Sequence, residues 1–279
     1  MTRNRIGIAQ RTTPPFRADH VGSLLRTKPL KEARARRERN EISADELRAI
    51  EDREIAAIIS KQEDIGLGAV TDGEFRRAFW NYDFLGALLG VEAYLGERKI
   101  KFKGVNPKPM MLRVSGKLGT FSGHPMLEHF RFTKAHARVL PKMTIPSPSS
   151  LHFRYGREAV PEAIYRDMRD FYRDLGQTYR LAVRAFADAG CRYLQLDEVN
   201  LAYLCDPSLR AQVAGRGEDP EKLPMIYAGR DLGCSFGHDN RHASVPRQFP
   251  IDVCRIRWIR AGRGNPVQCN QGACLFHGI

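Results

Sequence analysis

The sequence contains no apolar run approaching the ~20 residues that a membrane span needs. Its N-terminus also has no secretory apolar core. Together these absences predict a cytoplasmic protein without a membrane partner. No stretch interleaves aromatic and basic residues as a nucleic-acid-binding surface does, although the net charge is +13. The basic residues are scattered and mixed with acids, as in KEARARRERNEISADELRAIEDRE, which is the pattern of a solvated helix surface. No nucleic-acid partner is therefore expected. A further absence is local: the last 51 residues, 229–279, contain no Lys and no Glu. They carry 7 Arg and four of the six cysteines, whereas residues 1–228 carry 11 Lys, 27 Arg and 29 acids. A segment with neither residue and no hydrophobic period is not built as a helical surface, so the character of the chain changes near Gly229.

What is present is enough for one large domain or two small ones, in 279 residues that are 42% hydrophobic. FRADHVGSLLR (Phe16–Arg26) predicts a short strand running into a turn at Gly22–Ser23. Lys28 to Arg39 is rich in helix formers, and Ser43 with Glu46 forms a capping-box pattern ahead of a second helix bearing Leu47, Ile50, Ile55, Ile58 and Ile59. LGAVTDGEFRR (Leu67–Arg77) predicts the next strand, and residues 99–122 read as strand pieces that leave the main fold. Val139–Phe153 predicts a strand whose pairing ends at Pro146 and Pro148, because proline cannot donate to a ladder. The longest helix follows, with Ile164, Met168, Phe171, Tyr172, Leu175 and Tyr179 on one face. YLQLDE (Tyr193–Glu198) is then the fourth strand.

Alternating strands and helices predict a parallel sheet with helices outside. Each predicted strand ends in polar residues: His20 and Ser23, Asp72 and Glu74, Ser147 and Ser149, Asp197 and Glu198. Polar groups gathered at the carboxyl ends of parallel strands are the pattern of a (β/α)8 barrel mouth.

The motifs DHVGSLLR (Asp19–Arg26), QEDIGLGAVTDGEFRR (Gln62–Arg77), PKMTIPSPS (Pro141–Ser149) and YLQLDE together resemble the cobalamin-independent methionine synthase family, in particular its short single-barrel branch. They occur in family order over about residues 15–228. The resemblance implies an α/β fold, a (β/α)8 TIM barrel of the methionine synthase type. It implies a methyltransferase in which a zinc-bound homocysteine thiolate takes a methyl group from a methylated folate, without cobalamin. Carried over by motif, Ser23 and the backbone at Gly22 would bind the substrate carboxylate, and Glu74 and Asp197 would hold its ammonium. A cation in a closed mouth calls for paired carboxylates, since burying it alone costs several kcal/mol. Ser23 also fits a turn or cap, Glu74 an ion pair with Arg76 or Arg77, and His20 either a pocket wall or a satisfied buried histidine.

The zinc ligands of the family lie on later strands, as a His-x-Cys pair, a Glu and a Cys near the end, and none of these motifs is present. The tail offers Cys234, His238, His242, Cys254, Cys269 and Cys274 in no zinc spacing, so no metal ligand is assigned. Reading Ala243 to Asp252 (ASVPRQFPID) one base further on, with suitable synonymous codons, gives His-Leu-Cys-Arg-Gly-Asn-Phe-Arg-Ser-Thr. That resembles the family's zinc-binding strand. The expectation is an incomplete barrel of about the first four βα units over residues 1–228, followed by an irregular, frameshifted tail over 229–279. Such a fragment would lack the zinc half and be inactive. It would also leave Phe16–Val21 and Tyr193–Leu196 with unpaired edges, which favours self-association as a non-catalytic half-barrel.

Overall fold

A computed structural model of the protein describes residues 13–14, 16–96 and 110–227, together with the backbone of Asp252–Cys254. Helices α1 (Lys28–Glu38) and α2 (Ala44–Asp64) lead into β1 (Ala69–Val70). The short helix α3 (Tyr82–Leu85), the strands β2 (Val91–Leu95) and β3 (Met110–Val114), and α4 (Met126–His136) come next. After them follow β4 (Leu140–Pro146), α5 (Met168–Asp188), β5 (Tyr193–Asp197), α6 (Asn200–Tyr203), α7 (Pro207–Gly215), α8 (Leu223–Tyr227) and β6 (Asp252–Cys254).

The order β1-β4-β5-β6 makes one parallel sheet, while β2 and β3 pair antiparallel as a separate ribbon. This is a mixed α/β fold with a small sheet, and no closed barrel is formed among the described residues. Also among them, no helix is long and apolar enough to cross a membrane.

Local chemistry explains where the elements begin and what they bury. The amide of Glu46 donates to the Ser43 hydroxyl at 3.1 Å, and the Ser43 amide donates back to the Glu46 carboxylate at 2.7 Å, so α2 starts on a complete capping box. Along α5, Phe171, Leu175, Tyr179, Ala182 and Phe186 recur at helical spacing and are buried. They share one core with Met143 and Ile145 of β4 and Leu194 and Leu196 of β5. Because side chains alternate along a strand, the opposite face of the same two strands carries Lys142, Thr144, Tyr193, Gln195 and Asp197. One sheet face is thus apolar and packed on α5, and the other is polar. Behind β4, the buried His152 ring bonds the Tyr227 hydroxyl at 2.7 Å and the Glu218 carboxylate at 2.9 Å, which anchors the segment ending in α8.

Three expectations need correction. Phe16–Val21 forms no strand, because the carbonyls of His20, Val21 and Gly22 are taken by the side chains of Lys142, Gln195 and Thr71 instead of by a neighbouring backbone. The strand expected in Leu67–Arg77 shrinks to Ala69–Val70, since the chain turns at once into a bonded loop. Tyr193–Leu196 is not left with an open edge over its first three residues. There β5 pairs with β4 on one side and with β6 on the other, so the tail supplies a strand where an irregular segment was expected. Pairing does end where the prolines require it: the last β4–β5 register pair is Pro146↔Asp197.

At this junction the fully buried Tyr179 hydroxyl donates to the Pro146 carbonyl at 2.8 Å. Tyr179→Phe leaves that carbonyl unsatisfied in the core and is expected to lower stability by about 1 kcal/mol in denaturant unfolding. An unchanged midpoint would show that the bond contributes nothing to holding the end of β4.

Candidate functional site

The polar ends of β1, β4 and β5 meet beneath the N-terminal segment 19–24. At Gly22 the backbone lies so close to β4 that a Cβ would sit 2.8 Å from Thr144 Cγ2 and 3.4 Å from Glu74 Oε1, and its φ is +151°. Only glycine permits that approach. The Gly22 carbonyl accepts from the Thr71 hydroxyl at 2.7 Å, and the Leu24 amide donates to the Gly73 carbonyl at 3.0 Å. The segment is therefore stitched to the turn that follows β1.

That turn holds Glu74 in an unusual backbone. Glu74 has φ +59°, a left-handed conformation that costs a non-glycine residue about 1–2 kcal/mol. Surrounding bonds impose it. The Glu74 amide donates to Asp72 Oδ1 at 2.8 Å, and Arg26 donates to the carbonyls of Glu74 and Arg77. Arg34 donates to the carbonyls of Phe75 and Arg77. Two guanidinium groups thus cap three carbonyls of one turn. The result aims a carboxylate that is only 4% exposed at β4, where the Thr144 hydroxyl donates to Glu74 Oε1 at 3.1 Å. Arg77, 2% exposed, lies 3.5 Å from the same oxygen, so the ion-pair role open to Glu74 is realised with Arg77, whereas Arg76 pairs with Asp52.

Across the polar face stands Asp197, the last residue of β5. Among the described residues its hydrogen-bond partner is Gln195, whose Nε2 donates to Asp197 Oδ1 at 2.6 Å. Burial pushes the Asp197 carboxyl up to about 6, with the Glu74 charge adding to the rise while the Gln195 bond and the charges of Arg77 and Lys142 oppose it. Lys142 itself is committed elsewhere, to Asp19 Oδ1 at 3.2 Å and to the His20 carbonyl. Among the described residues, Asp197 therefore has no bonded cation.

The adjacent carboxylate does different work. Glu198 accepts from the Ser149 hydroxyl and from the amides of Asn200 and Leu201, which ties the end of β5 to the loop after β4. Ser147 and Ser149 are bonded to each other within that loop at 2.8 Å. Of the residues singled out from the sequence, Gly22 and Glu74 are thus brought together, with Asp197 inside the field of Glu74. Ser23 follows Gly22 along the chain but is exposed, and it bonds neither carboxylate. His20 turns to Gln62 of α2 at 2.8 Å. A cavity of about 560 Å³ lies on that side, lined by His20, Leu24, Leu25, Ile58 and Ile65 among others, and none of the four candidate residues lines it. Sequence reasoning missed Thr144, Lys142 and Gln195. Their signal was the period-2 alternation in KMTIP and YLQLD, which separates an apolar face from a polar one.

The described residues do not suit zinc. Among them no group of three or more His, Cys, Asp and Glu side chains is placed to hold a metal ion. The Cys191 thiol is buried, donates to the Tyr193 carbonyl at 3.4 Å and has its pKa pushed up by burial to about 12, the opposite of a thiolate ligand. Cys205 bonds the Leu201 carbonyl within its own turn. The side chains of Cys234, His238, His242, Cys254, Cys269 and Cys274 lie outside the described residues.

No family model matches the chain. It is 46% identical over 215 residues to YxjH, an uncharacterized protein of Bacillus subtilis, covering 77% of this chain and 56% of that one. It is 25% identical over 199 residues to the 5-methyltetrahydropteroyltriglutamate–homocysteine methyltransferase of Thermotoga petrophila, covering 70% of this chain and 26% of that one. A crystal structure of a candidate vitamin-B12-independent methionine synthase from Listeria monocytogenes shares the fold with a TM-score of 0.65 at 40% identity, covering 81% of this chain and 63% of that one. The chain spans little more than half the length of the B. subtilis relatives it matches, 56% and 57%.

A carboxyl whose pKa rises on folding favours the folded state in its protonated form. For Asp197 that contribution is complete below pH 3.8 and is lost as the pH rises through about 6. Asp197→Asn removes the buried charge, so it should stabilise the protein at pH 8 by on the order of 2 kcal/mol and make little difference near pH 3.5. Thermal melts of both proteins at the two pH values test this, and a destabilised variant at pH 8 would show that the carboxylate is satisfied where it stands.

Proposed function

The chain is a homologue of the cobalamin-independent methionine synthase family, and we propose that its described residues form the amino-acid-binding side of a homocysteine methyltransferase site. One observation carries this reading. Two largely buried carboxylates face a common space at the carboxyl ends of parallel strands, and among the described residues only one of them, Glu74, has a cationic partner. An α-ammonium beside Asp197 supplies the missing charge and receives hydrogen bonds from no one, since it donates to Asp197 and Glu74. The substrate carboxylate then falls at the exposed Ser23 hydroxyl and the Gly22–Ser23 backbone, next to Glu74. The ligand is a homocysteine-like amino acid, the methyl donor a methylated folate and the setting cytoplasmic, without cobalamin.

In this reading residues 1–228 are the first half of a barrel, and 229–279 are a frameshifted tail that replaces the half bearing the zinc ligands. The chain binds the amino acid and does not methylate it. A second reading, a non-catalytic half-barrel that self-associates, draws on exposed apolar side chains: Val21 at 64%, Leu25 at 84% and Ile65 at 70%. β1 also has β4 as its one strand partner among the described residues. Size-exclusion chromatography separates the two, a concentration-independent monomer excluding self-association.

Calorimetric titration with homocysteine or methionine is expected to show binding at pH 8 that weakens as the pH falls below about 6, where Asp197 takes up its proton. Asp197→Asn and Glu74→Gln should each weaken binding about tenfold or more, the loss of a charge-assisted hydrogen bond. Metal analysis of the unaltered chain should find no stoichiometric zinc, and shifting the gene by one base near codon 229 should restore a His-Leu-Cys strand, provided the downstream sequence is intact. One zinc per unaltered chain, lost on mutating Cys254 or His238, would overturn the frameshift reading.

A further inference from the structure

One side chain touches both ends of the proposed pocket. Gln195 Nε2 donates to the Val21 carbonyl at 3.0 Å and to Asp197 Oδ1 at 2.6 Å. An amide nitrogen carries two hydrogens, so both are used. The flipped amide would turn Oε1 toward two acceptors, which fixes the orientation chemically. Gln195 and Asp197 are two apart on β5 and share the polar face of the sheet, so the bond between them needs no distortion of the strand.

The other end of the bridge needs holding. Val21 is 64% exposed, and the expected strand at Phe16–Val21 is absent, so no ladder fixes the backbone entering Gly22. Gly22 beyond it is pressed against Thr144 and bonded by Thr71. Among the described residues, Gln195 is the side chain hydrogen-bonded both to this segment and to Asp197.

We propose that Gln195 is a positioning residue: it ties the Val21–Ser23 backbone to Asp197, so that the sites for the carboxylate and the ammonium of one bound amino acid are held at a fixed separation. This rests on the amino-acid-binding reading above and adds what makes the two half-sites act as one. The charged groups facing Asp197 are Glu74 and Arg77 from the turn after β1 and Lys142 from β4. Gln195 donates to the ionised form of Asp197, so its loss moves the Asp197 titration upward.

The test uses Gln195→Met, which keeps length and removes both donors, and Gln195→Glu, which keeps shape and removes them. The Asp197 titration is read by carbon NMR on protein carrying labelled aspartate, and methionine affinity by calorimetry at pH 8, where Asp197 is ionised in the parent. Gln195→Met should raise the Asp197 pKa by about one unit and weaken methionine binding about tenfold while keeping a cooperative melt. Val21 is exposed, so water satisfies its freed carbonyl and the fold survives. Gln195→Glu should raise the pKa further, because it adds a like charge. An unchanged titration with unchanged affinity in both variants overturns the proposal. If the parent chain binds no methionine, the amino-acid-binding reading fails by itself, and the NMR titration alone then decides whether Gln195 holds Asp197.

Discussion

The structure depends on how two carboxylates are kept on the inner, polar face of a small parallel sheet. Glu74 is 4% exposed and Asp197 is buried enough for its pKa to rise to about 6. Ionised groups in such places need partners, or folding is opposed by several kcal/mol. Arg77 and Thr144 supply them for Glu74. For Asp197 the described chain supplies one amide and no bonded cation. That imbalance is the observation on which the proposed amino-acid site rests.

Much of the rest serves to keep that imbalance in place. Arg26 and Arg34 reach 41 to 51 residues along the chain to cap the carbonyls of Glu74, Phe75 and Arg77, which holds Glu74 in its left-handed backbone. The adjacent carboxylate, Glu198, is consumed by Ser149 and the amides that start α6, so it fixes the loop and leaves Asp197 on the polar face of the sheet. α5 packs the apolar face of β4 and β5, and the N-terminal segment covers the polar face through bonds to side chains. The sheet is thereby buried on both sides by different chemistry.

Elements set by local chemistry were legible in the sequence. The Ser43–Glu46 capping box, the buried stripe of α5 and the end of pairing at Pro146 all follow from neighbours within a few residues. Gly22, Ser23, Glu74 and Asp197 were singled out by their place in the family-like motifs, and of these the structure packs Gly22 against Glu74. What escaped was long-range. Phe16–Val21 has the composition of a strand, but Lys142 and Gln195, more than a hundred residues away, take its carbonyls. The Arg26 and Arg34 caps depend likewise on partners that no local pattern reveals. Attention to the polar ends of β4 and β5 passed over Thr144, Lys142 and Gln195 within them, although their alternation was present.

If Asp197 lacks only a cation, binding an ammonium must draw the proton off it. Calorimetry of methionine binding in two buffers of different ionisation enthalpy counts that proton directly. With an Asp197 pKa of about 6, roughly half a proton should be released per methionine at pH 6 and almost none at pH 8. Binding heats at pH 6 that do not depend on the buffer would contradict the cation-deficient site on which the proposed function rests.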